Sequence, residues 1–208
     1  MLQDSGERTK FKSGAVRDLS KGKGRMDLVP LDTLASFLTY CAKKLKSSRQ
    51  QISLYIKYNV DDMSSSEELC TTNEKKQLEN LSFGGLIIGD IYDAVEEEKG
   101  GNPDIDFVVS KIFDSIIAFS FMAGIDICSM IIELSKHYED GAIKYEEDNW
   151  KKGIPLKSYV DSGVRHLIEY IRGDTDDPHG RAFIWNMFGY VWTFRHHILS
   201  EAVSSKGE

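Results

Sequence analysis

Apolar positions recur along most of the chain at the three- and four-residue spacing of helix faces, with little of the strict alternation that marks strands. Pro30 and Asp32 open LDTLASFLTYCAKKL, which puts Leu31, Leu34, Leu38, Cys41 and Leu45 on one predicted helix face. Further helices are predicted over about 66–80 and over 83–98, the latter ended by Gly100 and Gly101. A long apolar helix over 104–122 is broken at Gly124. The next carries Ile127, Ile131, Leu134, Tyr138, Ala142 and Tyr145 on one face and is expected to run past Trp150, until Gly153 and Pro155 stop it. In LKSYVDSGVRHLIEYIRGD the stripe is Val160, Val164, Leu167, Ile168 and Ile171, with Gly173 as terminator. A last helix starts near DDPHGRAF, with Pro178 at an early position, and reaches about Ala202. Residues 46–66 read equally as strand or helix, 80–105 have the look of an insertion, and residues 1–29 lack helical periodicity. The expected fold is all-α. It is a helical bundle of one domain over 30–203, with a variable middle at about 46–130, behind an irregular basic N-terminal segment over 1–29.

Composition narrows the function. The chain has 208 residues, 41% hydrophobic and 28% charged, enough to bury a core. A net charge of −7 argues against a nucleic-acid polymer as partner. The charge is uneven. Residues 1–25 hold seven Lys/Arg against three acids, so this head is +4 and the remainder −11. Such a head could meet a phosphate or its own acidic body. Three widely spaced cysteines (Cys41, Cys70 and Cys128) with no CxxC exclude a disulfide framework or a cysteine zinc site as the expectation. Asp114, Asp126 and Glu133 interrupt the most apolar stretch, so no membrane partner is expected and the protein reads as cytoplasmic.

The last three long helices each carry a polar set on one face. His137, Asp140, Lys144 and Glu147 stack on the first. Asp161, Arg165 and Glu169 align on the second, beside Ser162 and His166. On the third, His179, Phe183, Asn186 and Tyr190 align just after Asp176 and Asp177. Carboxylates and imidazoles projecting from facing helices are how bundles build metal sites. The plainer readings are a solvated helix end for Glu146, Glu147 and Asp148, and an ordinary i,i+4 pair for Asp140 with Lys144. His166 and His179 could likewise be structural, and Trp150, Trp185 and Trp192 could be packing residues. Asn186, between Trp185 and Met187, must find a partner if buried.

Several spaced boxes resemble the phage and prophage family named for the dATP/dGTP diphosphohydrolase N-terminal domain. They are FKSGAVRD (11–18), RMDLVP (25–30), SKHYEDGAIKYEEDNWKKGIP (135–155), RHLIEYIRGD (165–174), DDPH (176–179) and WN (185–186). The resemblance implies hydrolysis of purine deoxynucleoside triphosphates, dATP or dGTP, to monophosphate and pyrophosphate with Mg²⁺ or Mn²⁺. It also implies an all-α architecture like the MazG-type pyrophosphatases, and a host-cytoplasm location if the chain is phage-encoded. One departure stands out. Those enzymes hold magnesium with EExxE and ExxD segments, whereas here Glu139-Asp140 is followed by Ile143 and Glu169 by Arg172.

Under this resemblance the expected metal ligands are Glu139 and Asp140, with Asp140, His166, Asp177 and His179 as another possible set. His166, His179 and Asp177 are the expected catalytic groups. Arg17, Lys144 and Arg165 would neutralise phosphate charge, while Asn149 or Asn186 would read the purine edge with Trp150 stacking. The alternative is a phage protein that binds or sequesters nucleotides or nucleotide signals without cleaving them. A homo-oligomer is expected in either case.

Overall fold

A computed structural model describes residues 8–10, 12–18, 22–44 and 72–204. The N-terminal segment is not wholly irregular. Strands β1 (Arg8–Lys10) and β2 (Val16–Asp18) pair antiparallel, with Thr9 opposite Arg17. A single 3-10 turn, Met26–Leu28, follows. Everything else regular is helical: α1 (31–44), α2 (Thr72–Glu98), α3 (Ile105–Ala123), α4 (Ile127–Tyr145), a 3-10 turn at Asn149–Lys152, α5 (Leu156–Arg172) and α6 (His179–Ser204). The fold is all-α. Residues 45–71, including most of the ambiguous 46–66 stretch, lie outside the described residues.

The helix boundaries have identifiable causes. Asp104 caps α3 by accepting from the Phe107 amide at 3.1 Å, and Asp126 caps α4 by accepting from the Ser129 amide at 3.0 Å. Between them Gly124 adopts the left-handed conformation that ends α3, and the chain turns by 104°. The two helices expected at 66–80 and 83–98 are one continuous α2 from Thr72 onward. Gly84 and Gly85 do not break it; a Cβ on Gly84 would lie 2.6 Å from the Ile171 Cδ1, so that glycine lets α5 approach. Helix α4, in contrast, stops at Tyr145, well short of Trp150. Glu146 and Asp148 both take positive φ, 86° and 58°, and redirect the chain into the Asn149–Lys152 turn.

Phe37 of α1 anchors the core. Its ring meets Phe113 of α3 at 5.2 Å and Phe188 of α6 at 5.4 Å, both edge-on. The buried face of α1 is therefore Thr33, Phe37 and Cys41, and the expected Leu31 and Leu38 are exposed. Ile87, Ile91 and Ala94 of α2 are buried in the same core. Lys111 of α3 ties α2 down through Asp90 at 3.1 Å and Asp93 at 2.8 Å. The buried face of α5 is Tyr159, Gly163, His166 and Leu167; the expected Ile168 is exposed. That rotation matters, because it turns His166 inward against α6. Among the described residues no single helix is long and apolar enough to cross a membrane.

Candidate functional site

The turn between α5 and α6 brings the imidazoles and carboxylates together. Gly173, at φ 89°, closes α5 by donating to the Glu169 and Tyr170 carbonyls. The chain then doubles back through Asp174, Asp176 and Asp177 before His179 opens α6. Arg172 pairs with Asp174, which holds the carboxyl below the usual range. Inside the turn, His166 Nδ1 lies 3.0 Å from His179 Nδ1. Glu169 Oε2 lies 3.3 Å from the first and 3.1 Å from the second. His179 Nε2 sits 3.0 Å from Asp176 Oδ1, and this contact lowers the Asp176 carboxyl. Both imidazoles are buried, and burial, then the Arg165 charge, pushes His166 down.

Hydrogen-bond bookkeeping pairs the two imidazoles with each other and leaves the Glu169 corner of this triangle unsatisfied. Asp176 claims the Nε2 edge of His179, which points that ring's Nδ1 lone pair at His166 and Glu169. Glu169 Oε2 is buried and makes no aligned hydrogen bond despite its two close nitrogens. Donor atoms of His166, Asp177 and His179 also fall within 4.8 Å of one another, as do those of Asp174, Asp176 and His179. Outside the triangle opens a cavity of about 720 Å³, walled by Lys136, Tyr170, Asp174, Asp177, His179 and Arg181.

The expected site residues divide. His166, His179 and Asp177 converge as described. Asp140 stands at the edge, its carboxylate 2.9 Å from Arg181 Nη2. Glu139 faces elsewhere: its two oxygens accept from the backbone N–H of Gly22 at 2.8 Å and of Gly24 at 2.9 Å. It fastens the N-terminal segment, together with Arg25, which reaches Glu147 at 2.8 Å and donates its amide to the Ser135 carbonyl at 3.0 Å. Arg165 lies at the rim, 3.6 Å from Glu169. Lys144 is exposed, its ammonium 4.8 Å above the Tyr145 ring. The buried Asn186 amide donates to the Ala182 carbonyl one turn back at 2.8 Å and so satisfies itself within α6. Arg17 belongs to β2, but its side chain lies outside the described residues.

Asn149 and Trp150 line a second, smaller cavity of about 290 Å³ between α4, α6 and the Asn149–Lys152 turn. Sequence reasoning placed Glu169 and Asp176 on polar faces without giving either a role, and it did not single out Arg181. The i,i+3 pair His166/Glu169 and the D-x-D-D-x-H run of 174–179 were the signals available.

Fold and site together define an all-α protein with a histidine–carboxylate cluster, of the kind that could hold a metal ion, beside a polar cavity. Residues 119–201, from the end of α3 through most of α6, match the family model described as dATP/dGTP diphosphohydrolase, N-terminal. The match points to a dATP/dGTP diphosphohydrolase-related function. No curated protein and no solved structure matches the chain.

Proposed function

We propose that the chain hydrolyses purine deoxynucleoside triphosphates to monophosphate and pyrophosphate with the help of a divalent cation. The observation that carries this reading is the triangle of His166 Nδ1, His179 Nδ1 and Glu169 Oε2, with edges of 3.0, 3.1 and 3.3 Å, inside the family-matched region. Bonds of about 2.1 Å at right angles place neighbouring donors about 3 Å apart, so the triangle has the dimensions of one face of an octahedral site. The Glu169 oxygen has no partner beside two imidazole nitrogens that hydrogen-bond each other, and a cation bound by all three would satisfy it. Two imidazoles favour Mn²⁺ over Mg²⁺. A bound cation would supply Lewis acidity at the phosphoryl oxygens.

The protein's own groups supply the rest. Asp176 fixes the His179 tautomer and ring orientation. Asp177, at the cavity wall, takes the proton of the attacking water. Arg181 and Lys136 face the same cavity and neutralise phosphate charge. The buried Arg181 Nε has no partner among the described residues, which suits a phosphate oxygen. Water oxygen bonds to the α-phosphorus as the bond to the bridging oxygen breaks, and pyrophosphate leaves. Exposed Leu81, Ile88 and Tyr92 on α2 support a homo-oligomer.

The test is incubation with dATP and dGTP and either Mg²⁺ or Mn²⁺, resolving products by chromatography. Monophosphate and pyrophosphate are expected, with turnover lost in His179→Ala and cation binding lost with it by calorimetry. Nucleotide bound but left intact would favour a sequestering protein instead. The occupation of both Glu139 oxygens by backbone amides supports that second reading, because it removes one acid from the expected metal set.

A further inference from the structure

The 290 Å³ cavity plays no part in the hydrolytic chemistry above. Its walls include Leu28, His137, Tyr138, Asn149, Trp150 and Trp185. Pockets that enclose whole drug-sized ligands run from about 300 to 1,000 Å³, so this one suits a single ring system. It is aromatic on several sides: Tyr138 meets Trp150 at 5.7 Å, and His137 meets Trp185 at 5.7 Å.

Three buried polar atoms of the residues that line this cavity have no hydrogen-bond partner among the described residues: His137 Nδ1, the Tyr138 hydroxyl and Trp150 Nε1. Each such atom costs about 1–3 kcal/mol if left unpaired. Three on neighbouring residues around one cavity are a set awaiting a ligand edge. The indole N–H can only donate, so the ligand must present an acceptor. Burial, followed by the Arg181 charge, holds His137 down to about 4, so near neutral pH its ring offers one donor and one acceptor.

The two cavities share the α4–α6 seam. Arg181 walls the larger and Trp185, one helical turn on, walls the smaller. One turn advances about 5–6 Å, a distance that a deoxyribose spans.

We propose that the cavity bounded by Tyr138, Trp150 and Trp185 is a base pocket that takes the purine ring of the nucleotide, with Trp150 Nε1, the Tyr138 hydroxyl and His137 Nδ1 reading its polar edge. This rests on the nucleotide reading of the neighbouring site. It assigns recognition to His137 and Tyr138, and it relieves Asn186, already bonded within its helix, of any part in it.

The probes are 2′-deoxyadenosine, 2′-deoxyguanosine and thymidine, which lack phosphate, added to the full chain with chelator present. The chain's three tryptophans report locally, since Trp150 packs edge-on against Trp192 at 4.7 Å and Trp185 lines the cavity. The purine nucleosides should quench tryptophan fluorescence, thymidine far less. Tyr138→Phe and Trp150→Phe should each weaken nucleoside binding by about tenfold. Tyr138→Phe should leave the ligand-free melting temperature unchanged or higher, because it removes an unpaired hydroxyl. No quenching, or a Tyr138→Phe variant that melts lower without ligand, overturns the base pocket. Triphosphate hydrolysis without nucleoside binding would overturn this proposal and leave the hydrolase reading standing; nucleoside binding without hydrolysis would do the reverse.

Discussion

Gly24 is the point at which the N-terminal segment is pressed onto α4, and its replacement by alanine can be worked out in advance. Its φ is 87°, in the left-handed region. An alanine there costs about 1–2 kcal/mol in backbone strain alone. The new Cβ would also lie 2.0 Å from Ser135 Oγ and 3.1 Å from the Lys136 amide nitrogen. Ser135 is buried and cannot swing away, so the segment must lift. Lifting loosens the Gly24 to Glu139 bond at 2.9 Å and the Arg25 to Ser135 bond at 3.0 Å, each worth about 1 kcal/mol. The sum is about 3–4 kcal/mol, or roughly 6–16 °C in melting temperature for a chain of this size. Gly22→Ala is the control. Its φ is 78°, with nothing within 4 Å of the added Cβ, so only the backbone strain applies, about 2–8 °C. Thermal denaturation of the two variants side by side is the assay. Equal destabilisation by both would refute the claim that close packing against Ser135, and not the left-handed backbone alone, sets the requirement for glycine at 24.

Three further outcomes follow from the same geometry. Because His137 is held near 4 against about 6.5 unfolded, the unfolded chain binds its proton first; stability contributed by neutral His137 should be present above pH 6.5 and lost as pH falls toward 4, by up to about 3 kcal/mol. Denaturant midpoints of chelated protein across pH 4–7 should show this slope, and His137→Gln should flatten it. Gly189→Ala would set a Cβ 2.3 Å from the buried Tyr159 ring and should cost about 1–3 kcal/mol by urea titration. Gly163→Ala meets the terminal methyl of Met187 at 2.6 Å and the Asn186 Cβ at 3.2 Å, and because a methionine end can turn aside it should cost less. Asp140→Ala, by releasing Arg181 at the cavity edge, should raise KM in a hydrolysis assay more than it lowers kcat.

Local signals explain what was legible in the sequence. Gly124 and Gly173 are boundary signals written in single residues, and the ends of α3 and α5 fall beside them, while α6 starts one residue after Pro178. The end of α4 was hidden because Glu146 and Asp148 adopt left-handed backbone without being glycine. The continuity of α2 across the expected gap between 80 and 83 was equally hidden, and the close approach of Ile171 at Gly84 depends on a partner 87 residues away in sequence. The same limit applies to the site. His166, Asp177 and His179 were visible as residue types near one turn. The partners of Glu139, more than a hundred residues distant, were not, because two backbone amides leave no mark in side-chain chemistry.

The wedge formed by Phe37 bears on how this protein can be divided. The family-matched stretch begins at Phe119, yet Phe188 within it rests on a ring supplied from before its start, and Phe113, also outside, completes that contact. A fragment trimmed to residues 119–201 would carry both imidazoles and most of the two cavities. It would also present an open aromatic socket and two idle carboxylate oxygens on Glu139 to water. Expression of the matched region alone should therefore give aggregating material, and the smallest piece worth transplanting into another protein is the body from Gly22 to the end of α6.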